Sequence, residues 1–266
     1  MFAAEMAVSS ASGVRLHYVE DGAGDPPLVF VHGWCCDHSY FAPQFDYFKV
    51  AHRAVSLDLR GCGESDKPGS GYDIPTLADD VAALCRELDL KKPVVIGHSL
   101  GGMIGIELAG RHPSVAGAVV AVDPGPIAIL PETRALFEAF IAGLEGPDSA
   151  AVREAYVGDM FLATDDSERK RRIVSTMCSA PLRMAIDNLR GVITWNGVGA
   201  LTLCTAPLLV LMNSTGGSND PARLLALKSD VQIGVTVGAG HFIQLEVPDQ
   251  VNAMIDRFLR TQVAKN

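Results

Sequence analysis

The amino-acid sequence predicts an α/β protein: a mostly parallel central sheet with helices on both faces, interrupted once by an all-helical segment. Three observations predict it. Short apolar runs recur along the chain and stop at Gly, His or Asp, as strands buried on both faces do. Stretches with apolar residues at helical spacing separate those runs, and such alternation implies parallel pairing with crossover helices. From Pro131 to about Val192 no strand-like run occurs.

The elements follow in order. Val14–Val19 alternates apolar and polar residues, the pattern of a half-buried strand. Pro27–Val31 is a buried strand ending at His32-Gly33, and aromatic-rich Phe41–Phe48 suits a short helix. Arg53–Leu57 is a strand that ends at Asp58. Thr76–Leu88 carries Leu77, Val81, Leu84 and Leu88 at helical spacing, with Thr76 as candidate N-cap and Asp79 at N3. Pro93–Ile96 is a strand stopping at Gly97, Leu100–Arg111 a helix ending before Pro113, and Val115–Val122 a strand stopping at Asp123. Thr133–Leu144, Ala150–Phe161, Ser167–Cys178 and Leu182–Val192 are the helices of the strandless segment, Lys170-Arg-Arg172 forming a solvated face. Pro207–Met212 (strand), Pro221–Lys228 (helix), Val231–Val237 (strand) and Pro248–Val263 (helix) restore the alternation. An insertion at a strand's carboxyl end sits over the crevice where parallel sheets bind ligands. The expected division is a core of residues 1–123 and 194–266 under a helical cap of residues 124–193.

Composition narrows the function. The 266 residues make fewer than two domains at about 150 residues each. Apolar residues are 48% and charged residues 20%, an ordinary globular mix that argues against disorder. Lys plus Arg is 22 against 31 Asp plus Glu, a net charge of −9 with no long basic run, which disfavours nucleic acid and an anionic membrane face as partners. The six cysteines form no C-x-x-C and are too sparse for a disulfide scaffold, so neither a metal nor a redox motif is expected. Met1 to Gly13 lacks the basic and apolar regions of a secretory signal, and no run reaches the ~18 apolar residues of a membrane span. The expectation is a cytoplasmic protein, monomer or homodimer, acting on a small molecule.

Three motifs carry chemistry. Gly97-His98-Ser99-Leu100-Gly101-Gly102 lies between a strand and a helix, the context in which G-x-S-x-G lifts a serine clear of the sheet at a helix's positive end. Ser99 is the candidate nucleophile. His98, inside the elbow, is a candidate supporting and pocket residue. His32-Gly33-Trp34 follows another strand; the backbone N–H groups of Trp34 and Leu100 are the candidate oxyanion donors. Gly238-Ala239-Gly240-His241-Phe242 follows the last strand and frees His241 to act as base. The other histidines (His17, His52 and His112 among them) read as packing or surface residues.

These motifs together resemble the α/β-hydrolase superfamily, as does Asp58-Leu-Arg-Gly-Cys-Gly-Glu-Ser65, which resembles that family's loop after its fourth strand with Cys62 where His is usual. The resemblance runs from about Val14 to Leu259 and implies a cap inserted after the sixth strand, a Ser-acid-His triad and no cofactor. The acid usually follows the strand equivalent to Pro207–Met212, where this chain has Gly216 and Gly217; Asp220 comes late and is also a candidate helix cap. Some relatives, certain haloalkane dehalogenases among them, place the acid one strand earlier, at Asp123. Asp123 is therefore the preferred acid and Asp220 the alternative.

A serine nucleophile resembles esterases, lactonases, thioesterases and carbon–carbon-bond hydrolases, whereas dehalogenases and epoxide hydrolases of this fold use Asp at the elbow. The expected activity is cleavage of a carboxylic ester or lactone of a small, largely apolar substrate through an acyl-enzyme. Val31–His38 also resembles the cofactor-free quinolone dioxygenases, but those carry His after the serine, where Leu100 stands here. A non-enzymatic small-molecule receptor of the kind plant hormones use is a third reading. Trp195, Phe137, Phe140, Phe161 and Met160 are candidate pocket walls, Trp195 first because the chain re-enters the core there.

Overall fold

The computed structural model describes residues 4–8, 13–215 and 217–263. Among the described residues eight strands form one sheet: β1 (Ala4–Val8), β2 (Arg15–Asp21), β3 (Leu28–Val31), β4 (Ala54–Leu57), β5 (Val94–His98), β6 (Ala118–Val122), β7 (Leu208–Met212) and β8 (Gln232–Val235). Their spatial order is β1-β2-β4-β3-β5-β6-β7-β8. The β1–β2 and β2–β4 pairs are antiparallel and all the others parallel. This is the α/β-hydrolase architecture expected.

Each central strand feeds two cores through the two-residue period of its side chains. Phe30, Ile96, Val120 and Leu211 pack against α1 (Ala42–Phe48) and α11 (Pro248–Phe258). Val31, Val95, Val119 and Val210 face the other way, toward α2 (Ile74–Glu87) and α3 (Leu100–Arg111). Both sets are fully buried. At ~1.5–3 kcal/mol per buried large aliphatic side chain, this two-sided burial holds the sheet together.

Between β6 and β7 the chain forms α4 (Pro131–Leu144), α5 (Ser149–Gly158), α6 (Ser167–Ser179), α7 (Leu182–Thr194) and α8 (Gly197–Leu203), and among the described residues no strand. The apolar face of α7 buries Met184, Leu189 and Val192, and Asn188 Nδ2 donates to the Tyr72 carbonyl 2.8 Å away, tying α7 to the loop before α2. The short α9 (Pro221–Leu227) and α10 (Ile243–Glu246) complete the set.

Several boundaries differ from the sequence reading. Asp73, not Thr76, caps α2: its carboxylate takes the Thr76 N–H at 3.0 Å, so Pro75 sits in the first turn, where its missing N–H costs nothing. A tight 3₁₀ turn over His38–Phe41 precedes α1. The last helix loosens into a wide π turn over Leu259–Val263. Strand β1 and helices α8 and α10, unexpected from the sequence, are short elements fixed by their neighbours. Among the described residues no helix is long and apolar enough to cross a membrane.

Candidate active site

Ser99 sits between β5 and α3 at φ 53° and ψ −115°, a conformation that non-glycine residues rarely adopt. The turn leaves no room beneath it: a Cβ on Gly101 would lie 2.1 Å from the Val31 carbonyl oxygen of β3. The Ser99 N–H is held by the Val122 carbonyl at 3.0 Å. Its side chain therefore stands at the amino end of α3, where the helix dipole favours negative charge.

His241 follows β8. Its Nδ1 lies 2.7 Å from Asp123 Oδ2, and the Asp123 side chain is 4% exposed. Asp123 stands at the end of β6 at φ 41° and accepts two more hydrogen bonds, from Asn213 N–H at 3.1 Å and Asn213 Nδ2 at 3.0 Å. The structure thus pairs His241 with Asp123. Asp220, the alternative, is exposed and caps α9 by accepting the Ala222 N–H at 3.0 Å. A Cβ on Gly217 would come 3.1 Å from Asp123 Oδ1, so the Asp123 carboxylate crowds the loop in which relatives carry their acid. Gly216 lies outside the described residues.

Trp34 and Leu100 line the same cavity as Ser99, and among the described residues the backbone N–H of neither has an acceptor within the protein. His32 fixes the Trp34 loop. Burial lowers its pKa, keeping it neutral, with Nδ1 donating to the Gly33 carbonyl at 2.8 Å and Nε2 accepting the Leu59 N–H at 2.9 Å.

Ser99, His241, Trp34 and Leu100 line one cavity of about 80 Å³ with Met103, Phe137, Tyr156, Met160, Leu189 and Val192. Phe137 and Met160 lie where expected. Four candidates do not line it. His98 is buried behind the site: burial and then the charge of His241 hold its pKa well below the ordinary value, and its neutral ring donates from Nε2 to the His241 carbonyl at 3.0 Å. Phe161 stacks on Phe242, ring centroids 5.1 Å apart. Trp195 turns to the outside of α3, its Nε1 donating to Glu107 at 2.8 Å. Phe140 supports the wall from behind, stacked on Tyr156 at 3.9 Å.

Glu246 went unnoticed in the sequence. Its two carboxylate oxygens accept the N–H groups of Gly240 (2.7 Å) and Phe242 (3.0 Å), bracketing His241 on both sides. Asn213, with its two bonds to Asp123, is a second such residue. A Glu five residues past the His is a faint signal; Asn213 has none. His17, His38 and Asp58 form the only cluster of potential metal ligands among the described residues. The two histidine Nδ1 atoms bond the two Asp58 oxygens at 2.8 and 3.0 Å, an arrangement complete through hydrogen bonds alone.

Sheet order, the strained serine and the His–Asp pair define the class, and the chain belongs to the alpha/beta hydrolase fold family, whose model matches residues 26–248. It is similar to AB hydrolase superfamily protein YisY of Bacillus subtilis (strain 168), with 42% identity over 96 residues, a match spanning only 36% of each chain. Over 260 residues, 92% of each chain, it is 26% identical to 2-(acetamidomethylene)succinate hydrolase of Mesorhizobium japonicum. Among solved structures it resembles an N-acyl homoserine lactone degrading enzyme, with 27% identity and a TM-score of 0.78 over 93% of this chain and 98% of that one.

Proposed function

We propose that the protein is a serine hydrolase that cleaves a carboxylic ester or lactone of a small, largely apolar substrate through an acyl-enzyme. The observation that carries this reading is the meeting of Ser99, at φ 53° on the end of α3, with a His241 whose Nδ1 is held 2.7 Å from buried Asp123, in one cavity. Asp123 fixes the His241 proton on Nδ1, leaving Nε2 to take the Ser99 proton. Ser99 Oγ attacks the carbonyl carbon, and the N–H groups of Trp34 and Leu100 receive the oxyanion. His241 then protonates the leaving oxygen. Water, deprotonated by His241, releases the acid and restores the serine. The Asp123 carboxylate, which accepts three hydrogen bonds, lies against the ring and offsets the imidazolium.

The cavity supports a small acyl portion: about 80 Å³ is far below the ~300–1,000 Å³ of sites for drug-sized ligands. Helices α4, α5 and α7 supply Phe137, Tyr156, Leu189 and Val192 to its wall, so the inserted helices act as the cap that selects the substrate. The N-acyl homoserine lactone degrading enzyme and the 2-(acetamidomethylene)succinate hydrolase among the similar proteins support a hydrolase acting on a small carbonyl compound. A fluorophosphonate probe tests the reading: it should label Ser99, and Ser99→Ala should lose both the label and ester hydrolysis. Hydrolysis retained by that variant would sink the mechanism.

A further inference from the structure

We propose that Arg153 is a positioning residue of the oxyanion turn, through which the cap holds the Trp34 N–H in place beside Ser99. The inference rests on the serine-hydrolase reading. The turn runs from Gly33 to Cys36, closed by Cys36 N–H on the Gly33 carbonyl at 3.2 Å, with Cys35 at φ 59°. A cysteine in that left-handed region is held by its surroundings rather than by its own preference. Arg153, on α5, supplies part of that hold. Its Nη2 donates to Cys35 Sγ at 3.0 Å, and its guanidinium carbon lies 5.4 Å from the Trp34 ring centroid. Its Nη1 is anchored on the Cys178 and Ala180 carbonyls, at 3.2 and 2.8 Å, where α6 turns into α7.

Packing alone does not explain an arginine here. Arg153 is 3% exposed, among the described residues no carboxylate pairs with it, and its Nε is buried without a partner. Burying a cation so is costly, a penalty that Leu or Met would not carry. Nor does Cys35 cancel the charge. Burial pushes its thiol up to about 12 although Arg153 beside it acts the other way, so it stays a neutral acceptor. A positive charge with no carboxylate partner therefore sits against the turn that carries the proposed oxyanion donor, the Trp34 N–H, where fixed positive potential favours the transition state over the bound ester.

The test uses the full chain, an ester that the wild type turns over, and a trifluoromethyl ketone of the same acyl shape, to whose carbonyl Ser99 Oγ adds, its proton passing to His241, to leave a hemiketal oxyanion. Arg153→Met should lower kcat about 10–100-fold, short of the ~10²–10³-fold for losing an oxyanion donor outright. KM should stay within about twofold while the ketone's inhibition constant rises by the factor lost from kcat, a split that merely structural damage would not produce. Arg153→Lys, which keeps the charge over Trp34 but not the fork, should fall between. A folded Arg153→Met protein with kcat within about threefold of wild type, or a loss confined to KM, overturns the proposal. If Arg153→Met does not fold, Cys35→Ala decides: lowered kcat with weakened ketone binding supports the proposal and unchanged values overturn it. A wild type inert toward both esters and fluorophosphonate sinks the hydrolase reading and this inference with it; an active wild type with indifferent variants sinks this inference alone.

Discussion

Replacing Asp123 by Asn separates the two candidate acids, and the structure sets the size of the effect. Asp123 Oδ2 receives His241 Nδ1 and Asn213 Nδ2, and Oδ1 receives the Asn213 backbone N–H. All three partners donate, whereas an amide accepts on one side only. With its NH₂ in the Oδ2 position, Asn faces two donors and drives the His241 proton to Nε2, where it blocks deprotonation of Ser99. With its NH₂ in the Oδ1 position it faces a backbone N–H that cannot turn away, and the charge opposite the imidazolium is gone. Asn213 cannot relieve the clash by flipping, because its Oδ1 already accepts the N–H and hydroxyl of Thr215 at 2.9 and 2.8 Å. One buried donor left unsatisfied costs about 1–3 kcal/mol. At ~2–4 °C per kcal/mol for chains of this size, melting should fall by about 2–12 °C. Turnover should fall about 10³–10⁴-fold, as when the tautomer is lost in other serine triads. Asp220→Asn, on the exposed cap of α9, should cost less than ~0.5 kcal/mol, since Asn caps as well as Asp. Steady-state hydrolysis of a short aryl ester with parallel melting curves measures both. Asp123→Asn retaining more than a tenth of wild-type turnover, or Asp220→Asn losing orders of magnitude, would refute the assignment.

Two further outcomes follow from groups around the site. Glu246→Ala leaves the N–H groups of Gly240 and Phe242 without their acceptor and should lower kcat through a loosened His241, with a loss of about 1–3 kcal/mol readable in thermal melts; unchanged kcat and melting would count against the brace. His38 titrates against buried Asp58: the hydrogen bond to Asp58 raises its pKa above the ordinary 6.5, with Asp37 and Glu64 adding to the shift and burial opposing it. A raised folded value means that its stabilisation is complete below pH 6.5 and is lost as pH rises through the higher folded value. The melting temperature of wild type relative to His38→Gln should therefore narrow between pH 6 and pH 9, and a constant gap would remove His38 from the pH dependence.

Ser99 and His241 were legible as candidates because each has local punctuation: a strand, glycines at fixed offsets and, for Ser99, an immediate helix. Asp123 was preferred through the family resemblance, because this chain has glycines where that family's later acid would stand and Asp123 occupies the earlier position; the structure adds a tight approach of Gly217 to the Asp123 carboxylate. The supporting residues were not legible. Glu246 acts on backbone N–H groups across a short helical turn, Asn213 on a carboxylate 90 positions away, and Arg153 on a thiol 118 positions away. No spacing rule encodes such pairs. Trp195 and Phe161 show the converse: an aromatic side chain near a proposed pocket has several surfaces to cover, and composition does not say which. Trp195 found the Glu107 carboxylate and Phe161 the ring of Phe242, each satisfying its own polar or stacking demand outside the cavity.

The inserted helices also do more than roof the cavity. The Met160 carbonyl, just past α5, accepts the His241 N–H at 2.9 Å. The Ala185 carbonyl of α7 accepts Trp34 Nε1 at 2.9 Å, and Arg153 reaches Cys35. The His241 loop and the Trp34 turn are thus both fastened to the inserted helices, through these three contacts. At ~0.5–1.5 kcal/mol for an ordinary hydrogen bond and more for a charged donor, lifting the cap as one body would cost several kcal/mol and disturb both loops together. Side-chain movement at the wall, where Phe137, Met160 and Leu189 close the space around Ser99, breaks none of these bonds. Under the proposed mechanism the same fastening would make substrate shape felt at the chemistry, since an acyl group that displaced α5 or α7 would strain the His241 loop or the Trp34 turn. For this chain, discrimination between substrates should consequently appear in kcat as well as in KM.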